Sequence, residues 1–486
     1  MLGASPITEL GLGDDQHYLG VNGMFDQWSA LFFEKAEKLN LILNLNNNNQ
    51  SSNKFLIHYS FIIKKISIDS QYQQTPANWK QNVAKVTENA ILTSPEYNKK
   101  VIKVSLDLGN LSPYESFAPG DFISVAPENS LESTDQFLLL LGLLDQKDCL
   151  FSIKKTSFSD VFDNDKSGIY TENEQSVKTL FEIVRTMLDI NSIPKRLFFK
   201  YASCFSNLEF EREKLEELGS PEGLDLYYSY IIVPKRTVLE TIADFPSLCG
   251  NVPVACLLDM FSRIYKKSYS ISNYDPDGKQ VSLTVAVVSY RKNARMPLRL
   301  GTCSNYLLGV EKGSLVTYDL HRGSMTLPPY KGYGHSSTPI IMVGPGTGLA
   351  PFMSFLQYRI LNGSYNNTLF FGCRSETKDF IYKSDLHELV IKSHLKLFTA
   401  FSRDSPNVVY VQNVILEQYK LVADLICNKN AFVYVSGRLG QMPVDVQNAF
   451  AEAITKAGVM GMDITQSQNY LIAMKKTGRY QQECWD

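Results

Sequence analysis

Ile340-Ile-Met-Val-Gly-Pro-Gly-Thr-Gly-Leu-Ala-Pro-Phe352 decides the fold. A short apolar run enters Gly344, Gly346 and Gly348, and a helical pattern follows. Glycines let the backbone turn tightly and bring N–H groups close to a phosphate, while the helix N-terminus adds positive potential. The spacing is G-x-G-x-G rather than G-x-G-x-x-G, and a glycine loop after a strand is by itself also an ordinary turn. The residues downstream extend the pattern. Leu369–Phe371, Leu395–Ala400 and Phe432–Val435 are short apolar strands with helical patterns between them. Strands and helices in alternation predict a parallel sheet covered on both faces.

Upstream the period changes. Val101–Leu108 alternates with period two, Pro119-Gly120-Asp121 is a turn, and Phe122–Val125 is a second strand. Strands return at Tyr269–Ser272 and Val281–Tyr290. Between them Phe181, Val184, Met187 and Leu188 recur at helical spacing, Glu211–Leu218 favours helix, and Val238, Ile242 and Phe245 suggest another. This order predicts a β domain over 81–330 with a helical insertion at about 176–260, then an α/β domain over 331–486. The Asn-rich run from Asn44 to Asn53 reads as part of a solvated linker, 44–80, that sets apart a short piece, 1–43. A long surface loop is the alternative.

Composition bounds the function. The 486 residues suggest two to four domains, and 48 Lys+Arg against 50 Asp+Glu give a net charge of −2. That balance offers no general attraction to nucleic acid or anionic lipid. The longest near-continuous apolar run, Phe137 to Leu144, is far short of the ~20 residues a membrane helix needs. The first twenty residues hold Glu9, Asp14 and Asp15 and neither Lys nor Arg, so no signal or transit peptide is expected. The eight cysteines are scattered, with no C-x-x-C pair and no Cys/His cluster suited to a metal. They fit free thiols in a reducing compartment.

Three further segments carry chemistry. Phe398-Thr-Ala-Phe-Ser-Arg403, followed by Tyr410-Val-Gln412, ends a predicted strand where the adenosine end of a dinucleotide could lie. A hydroxyl and a guanidinium, Ser402 and Arg403, suit a ribose 2′-phosphate better than a bare 2′-OH, which favours NADPH over NADH. The other reading is a solvent-exposed Arg at a strand end. Lys267-Ser-Tyr-Ser270 and Arg299-Leu-Gly-Thr-Cys-Ser304 offer what a flavin requires: an aromatic face in Tyr269, a donor in Ser270, and a cation plus backbone N–H groups in Lys267 and the Gly301–Ser304 turn. Tyr269 could equally be an ordinary sheet residue. Finally, the terminus Arg479-Tyr-Gln-Gln-Glu-Cys-Trp485-Asp486 places a Trp where chains usually fray, so Trp485 either anchors the end or stacks on a ring system.

Taken together and in this order, these segments resemble the diflavin reductase family, to which cytochrome P450 reductase belongs. Phe117-Ala-Pro-Gly-Asp121, Ile193-Pro-Lys-Arg-Leu-Phe-Phe199, Glu211-Arg-Glu-Lys-Leu215, Arg236-Thr-Val-Leu-Glu240, Asp244-Phe-Pro-Ser247 and Val433-Tyr-Val-Ser-Gly437 look like its FAD, connecting and NADP regions. Leu10-Gly-Leu-Gly-Asp-Asp-Gln-His17 and Phe25-Asp-Gln-Trp28 look like the end of its flavodoxin domain, closest to the soluble branch that serves cytosolic iron–sulfur protein assembly. The resemblance implies a multidomain protein: an antiparallel β-barrel FAD domain with a helical connecting insertion, an α/β nucleotide domain like that of ferredoxin-NADP reductase, and a remnant of a flavodoxin-like α/β domain. One strand and one helix of a doubly wound sheet cannot bury a core, so the FMN site of intact relatives is expected to be largely missing here.

The resemblance also assigns roles. Lys267 stands where the family usually has Arg and would hold the FAD pyrophosphate as a point charge. Ser268 lies beside it, Tyr269 would stack on the isoalloxazine, and Ser270 would lie near N5. Lys235 and Arg236 add a basic pair for FAD. Gly301, Thr302, Cys303 and Ser304 would wrap the pyrophosphate. Thr347 would meet the NADP phosphates, Ser402 and Arg403 the 2′-phosphate, and Val409, Tyr410, Val411 and Gln412 the adenosine side, with Asp445 also on the NADP side. Val408 falls where relatives often carry Lys, which weakens the NADPH preference. Ser436 replaces a Cys of many relatives near the nicotinamide. Ser270, Glu483 and Trp485 form the implied catalytic group, with Trp485 covering the flavin until nicotinamide displaces it.

The function so implied is an NADPH-dependent diflavin oxidoreductase of the cytoplasm, with mitochondria a second implied location. Electrons pass from NADPH through FAD, and through FMN in intact relatives, to an iron–sulfur protein of the anamorsin type. One alternative is a stand-alone FAD reductase for another one-electron carrier such as a cytochrome. Another is a non-catalytic scaffold, motivated by the departures at Lys267, Val408 and Ser436.

Overall fold

A computed structural model describes residues 31, 61–66, 82–109, 116–155, 175–291, 294, 296–329 and 338–485. The flavodoxin-like segment expected over 1–43 therefore lies, but for Leu31, outside the described residues. The described chain divides into two compact units. One is built on residues 128–265 with the strand near 61–65; the other joins 82–127, 266–291 and 297–485.

In chain order the strands begin with β1 (Phe61–Lys65), β2 (Asn82–Ile91), β3 (Val101–Asp107) and β4 (Phe122–Val125). After a helix, Leu131–Leu140, come β5 (Leu150–Lys155) and β6 (Gln175–Thr179). A helical run then reaches Met260. It is followed by β7 (Lys267–Ser270), β8 (Gln280–Ala286), the two-residue β9 (Ser289–Tyr290) and β10 (Arg299–Leu300), the helix Thr302–Gly309, and β11 (Leu315–His321). The last part holds β12 (Ile340–Val343), β13 (Asn367–Cys373), β14 (Lys396–Phe401), β15 (Phe432–Arg438) and β16 (Tyr480–Trp485).

In the first unit β1, β5 and β6 form an antiparallel sheet. β1 falls inside the interval expected to be linker, 44–80; Phe61-Ile-Ile-Lys-Lys65 pairs along its length with β5 and buries Ile63. The helices carry the spacing read from the sequence. Leu180, Ile183, Val184 and Met187 form the buried stripe of Leu180–Met187, whose start is a reciprocal cap between Thr179 and Glu182. Thr237 and Glu240 cap Val238–Ala243 in the same way. Helix starts before the expected interval, at Leu131–Leu140, where Phe137 and Leu138 are buried.

The second unit contains the two-stranded β9–β10 ribbon and two larger sheets. The first is antiparallel, in the order β7-β4-β11-β2-β3-β8. Its two end strands approach each other through an Ile271–Leu283 bridge, and Ser272 N–H donates to the Ser282 carbonyl at 2.8 Å. Val86, Val104, Ile123, Leu283 and Val316 fill its interior. The second sheet is wholly parallel, in the order β14-β13-β12-β15-β16. The chain goes from β12 outward to β13 and β14, then returns to the other side of β12 for β15 and β16. The order therefore reverses between β12 and β15, and a crevice at their C-terminal ends is where such sheets take ligands. Hydrogen bonds join the two sheets: Tyr382 and Thr284 share one at 2.7 Å, Tyr274 N–H donates to Gln357 Oε1 at 2.7 Å, and Thr326 N–H donates to Gln481 Oε1 at 2.7 Å.

Candidate active site

The glycine turn after β12 lies at that reversal. Gly346 has φ +58°, and a Cβ on Gly348 would come within 2.1 Å of the Ser436 carbonyl oxygen. Only glycine at 348 lets the turn lie against the end of β15. Thr347 is half-exposed on this turn. Ser436 beside it is fully buried, and its hydroxyl has no hydrogen-bond partner among the described residues. A buried polar atom left open is costly, so this crevice fits a polar ligand.

Next to Ser436 in the parallel ladder stands Glu483, and next to Arg438 stands Trp485. The C-terminal segment is thus an edge strand rather than a frayed tail. Trp485 is 36% exposed. The Glu483 carboxyl is raised above its ordinary range first by burial, with Asp121 adding to the rise and hydrogen bonds from Ser324 and Ser270 opposing it. Ser324 Oγ donates to Glu483 Oε2 at 3.4 Å. Ser270 and Glu483, assigned to one catalytic group, therefore meet across the two sheets.

Ser270 belongs to β7, which pairs with β4 so that Lys267, Ser268, Tyr269 and Ser270 face Val125, Ser124, Ile123 and Phe122. Lys267 and Ser268 are exposed, and the Ser268 hydroxyl bonds that of Ser124 at 2.9 Å. The Tyr269 hydroxyl and the Cys303 thiol lie close enough to act on each other, and burial pushes both groups up, the thiol to about 11. Lys267 lies close enough to draw the thiol back down in part. Lys267, Tyr269 and the start of the Thr302–Gly309 helix thus converge. Gly301 precedes that helix without a side-chain cap on its first N–H groups. A Cβ at 301 would come within 2.8 Å of Val288 Cβ. An uncapped helix start beside a lysine fits a pyrophosphate. Within the turn the side chains divide. Gly301 and Thr302 are half-exposed, whereas Cys303 and Ser304 are buried, and Ser304 Oγ is spent on Val288 N–H and the Gly301 carbonyl. Ser304 can offer a ligand only its backbone.

At the ends of β13 and β14, Arg403 N–H donates to the Arg374 carbonyl at 2.8 Å, which sets Ser402 and Arg403 at the sheet's C-terminal edge. Arg403 is exposed and Ser402 nearly buried. Val408 and Tyr410 are exposed, Val409 is half-buried, and Val411 is 3% exposed within the core, so its side chain packs rather than binds. Gln412 and Asp445 meet at 3.4 Å. Lys235 and Arg236 belong to the other unit. Arg236 is committed there to Asp244 and lies 4.4 Å over the Tyr230 ring, and Lys235 adopts the left-handed backbone, φ 51°.

Three residues beside these sites give no such signal in the sequence. Arg374 lies at the rim beside Arg403, its carbonyl accepting from Arg403 N–H, and close enough to Tyr97 to act on that phenol. Ser324 and Asp121 both act on Glu483. Asp121 stands in plain view in Phe117-Ala-Pro-Gly-Asp121, where it signals only a turn.

Comparison with known proteins bears on the same regions. Residues 76–306 match the model of the FAD binding domain, and 342–448 that of the oxidoreductase NAD-binding domain. The NADPH-dependent diflavin oxidoreductase 1 of Danio rerio is 34% identical over 498 residues, covering 100% of this chain and 80% of the relative. The chain belongs to the diflavin oxidoreductase family. Proteins of the same name from Schizosaccharomyces pombe, 32% identical to this chain over 493 residues, and Arabidopsis thaliana, 31% over 520, likewise cover 100% of this chain and 80% of their own length. Membership makes this diflavin oxidoreductase family chain a flavoenzyme of FAD and a nicotinamide dinucleotide. Among the described residues no helix is long and apolar enough to cross a membrane.

Proposed function

We propose that the chain oxidises NADPH and passes electrons through FAD to an iron–sulfur acceptor protein of the anamorsin type, in cytosolic iron–sulfur protein assembly. The observation that carries the redox half is the meeting of Ser270 and Glu483, from the antiparallel and the parallel sheet, beside the strand-order reversal. The domain matches and the relatives named NADPH-dependent diflavin oxidoreductase support the cofactors. Within this reading the antiparallel sheet is the FAD barrel and the helical unit is the connecting insertion.

When bound, NADPH supplies a hydride and FAD accepts it. The protein's part is binding and orientation. Lys267 and the N–H groups after Gly301 would hold the flavin diphosphate, and Tyr269 would present its ring. Thr347 meets the nucleotide phosphates, Arg403 and Ser402 take the 2′-phosphate, and Tyr410, Gln412 and Asp445 line the adenosine side. Trp485 closes the crevice against water until the nicotinamide enters. The Ser270 hydroxyl and the Glu483 carboxylate stabilise the charge that develops, and orientation contributes much of the rate.

The acceptor is tested by supplying the chain and NADPH with an anamorsin-type iron–sulfur protein and, separately, a cytochrome. Reduction of the first at the higher kcat/KM supports the reading. Reduction of the cytochrome alone would replace it with the stand-alone reductase.

A further inference from the structure

Asp121 is 5% exposed, and both of its carboxylate oxygens accept hydrogen bonds. One carboxylate oxygen, Oδ2, accepts from Ala118 N–H at 2.8 Å and from Arg322 at 2.7 Å; the other accepts from Gly323 N–H at 3.0 Å. Its backbone carbonyl accepts from Ile271 N–H at 3.1 Å. The N–H groups of Gly323 and Ile271 matter because of their chain neighbours. Ser324 comes directly after Gly323, and Ser270 directly before Ile271. Ser324 Oγ is the donor to Glu483 Oε2 at 3.4 Å, and the Ser270 hydroxyl lies close enough to favour the same carboxylate. The chain can approach this closely because residue 323 is glycine: a Cβ there would lie 1.6 Å from the Gly120 carbonyl oxygen. One residue therefore ties the end of β7 and the segment after β11 to the same point.

Asp121 also faces Glu483 electrostatically. From β7 the group meeting Glu483 is Ser270, from the segment after β11 it is Ser324, and in β15 its ladder neighbour is Ser436; all three are neutral. Cys484 follows on its own strand, and Lys475 of the Ile464–Lys476 helix acts on that thiol. The charge acting on Glu483 comes from Asp121. Arg322 balances it only in part, because its side chain is 63% exposed and water screens it, while that of Asp121 is 7% exposed.

We propose that Asp121 is a positioning residue for hydride transfer: it holds Ser270 and Ser324 against Glu483 and, balanced by Arg322, supplies the negative charge that Glu483 faces. This rests on the hydride-transfer reading above and adds to it a residue that touches neither substrate nor flavin.

The test uses the whole chain with Asp121→Asn and Arg322→Gln. D121N keeps the backbone carbonyl that Ile271 N–H donates to and an amide oxygen for Gly323 N–H, so it removes the charge without releasing the hydroxyls and eases ionisation of Glu483; unmasking Asp121 by removing Arg322 hinders it. The pH midpoint of flavin reduction by NADPH should therefore fall in D121N and rise in R322Q, each by roughly half a pH unit. A second readout needs no flavin. A carboxyl raised by folding costs stability once pH climbs above its unfolded value, so Glu483→Gln should raise Tm at about pH 8 and leave it unchanged at about pH 4. That gain should shrink in the D121N background and grow in R322Q. Shifts of the same sign in both variants, or none, overturn the proposal. If D121N fails to fold, R322Q alone decides. If the parent chain is not reduced by NADPH, the functional reading fails while the melting series still tests the Asp121–Glu483 link.

Discussion

Ser436 and Glu483 stand opposite each other across the parallel β15–β16 ladder, and the Ser436 hydroxyl is sealed from water without a partner among the described residues. The last strand described thus delivers a carboxyl to the point where the strand order reverses.

Ser436→Ala separates binding from folding. Removing an unpaired buried hydroxyl should raise the Tm of the ligand-free chain, by the equivalent of about 1 kcal/mol. Flavin reduction by NADPH should slow in the same variant. Loss of stability together with unchanged reduction, measured by melting and stopped-flow absorbance, would mean the hydroxyl has a protein partner.

Arg403 is exposed at the end of β14 and serves no described ion pair. Arg403→Ala should raise KM for NADPH by about 10- to 100-fold, as expected for a lost charge-assisted bond, and leave KM for NADH nearly unchanged. Steady-state kinetics with both nucleotides checks it. Equal effects on the two would place the guanidinium away from the 2′-phosphate.

Gly348→Ala forces a methyl into the Ser436 carbonyl. A cost of about 1–3 kcal/mol is expected, read as a lower urea midpoint at unchanged slope. Gly309→Ala, where a Cβ meets nothing within 4 Å, is the control.

The thiols should differ in reactivity. Cys249 is exposed, whereas burial holds Cys303 at 5% exposure and pushes its thiol up to about 11. Because the thiolate is the reactive form, iodoacetamide at neutral pH should label Cys249 well before Cys303. Peptide mass spectrometry gives the order. Early labelling of Cys303 would show that the Tyr269–Cys303 contact opens.

Much of this is legible in the sequence because period and burial agree locally. β4 and β12 match the stretches Phe122–Val125 and Ile340–Val343, and the helix at Leu180–Met187 follows its apolar stripe. β2 and β11 are not: β2 carries a bulge between Val86 and Glu88, and the alternation of β11 is short, with Val316 and Tyr318 its two buried residues. β16 reads as a tail because its pairing is wholly non-local. The site is legible residue by residue but not as an assembly. Nothing in Lys267–Ser270 says that Glu483 will lie beside it, and nothing in a Pro-Gly-Asp turn says that its carboxylate will anchor two hydroxyls. Val411 shows the opposite failure: it sits in a segment that the resemblance assigns to binding, yet the helix turns its side chain into the core.

Hydride transfer from NADPH to a bound flavin is the central claim. The most direct measurement is the absorbance spectrum of the purified 486-residue chain, with the released flavin identified and the bound form followed anaerobically on adding NADPH or NADH. The prediction is FAD, bleached by NADPH and less readily by NADH. A chain that carries no FAD, or FAD that NADPH leaves oxidised, would contradict it.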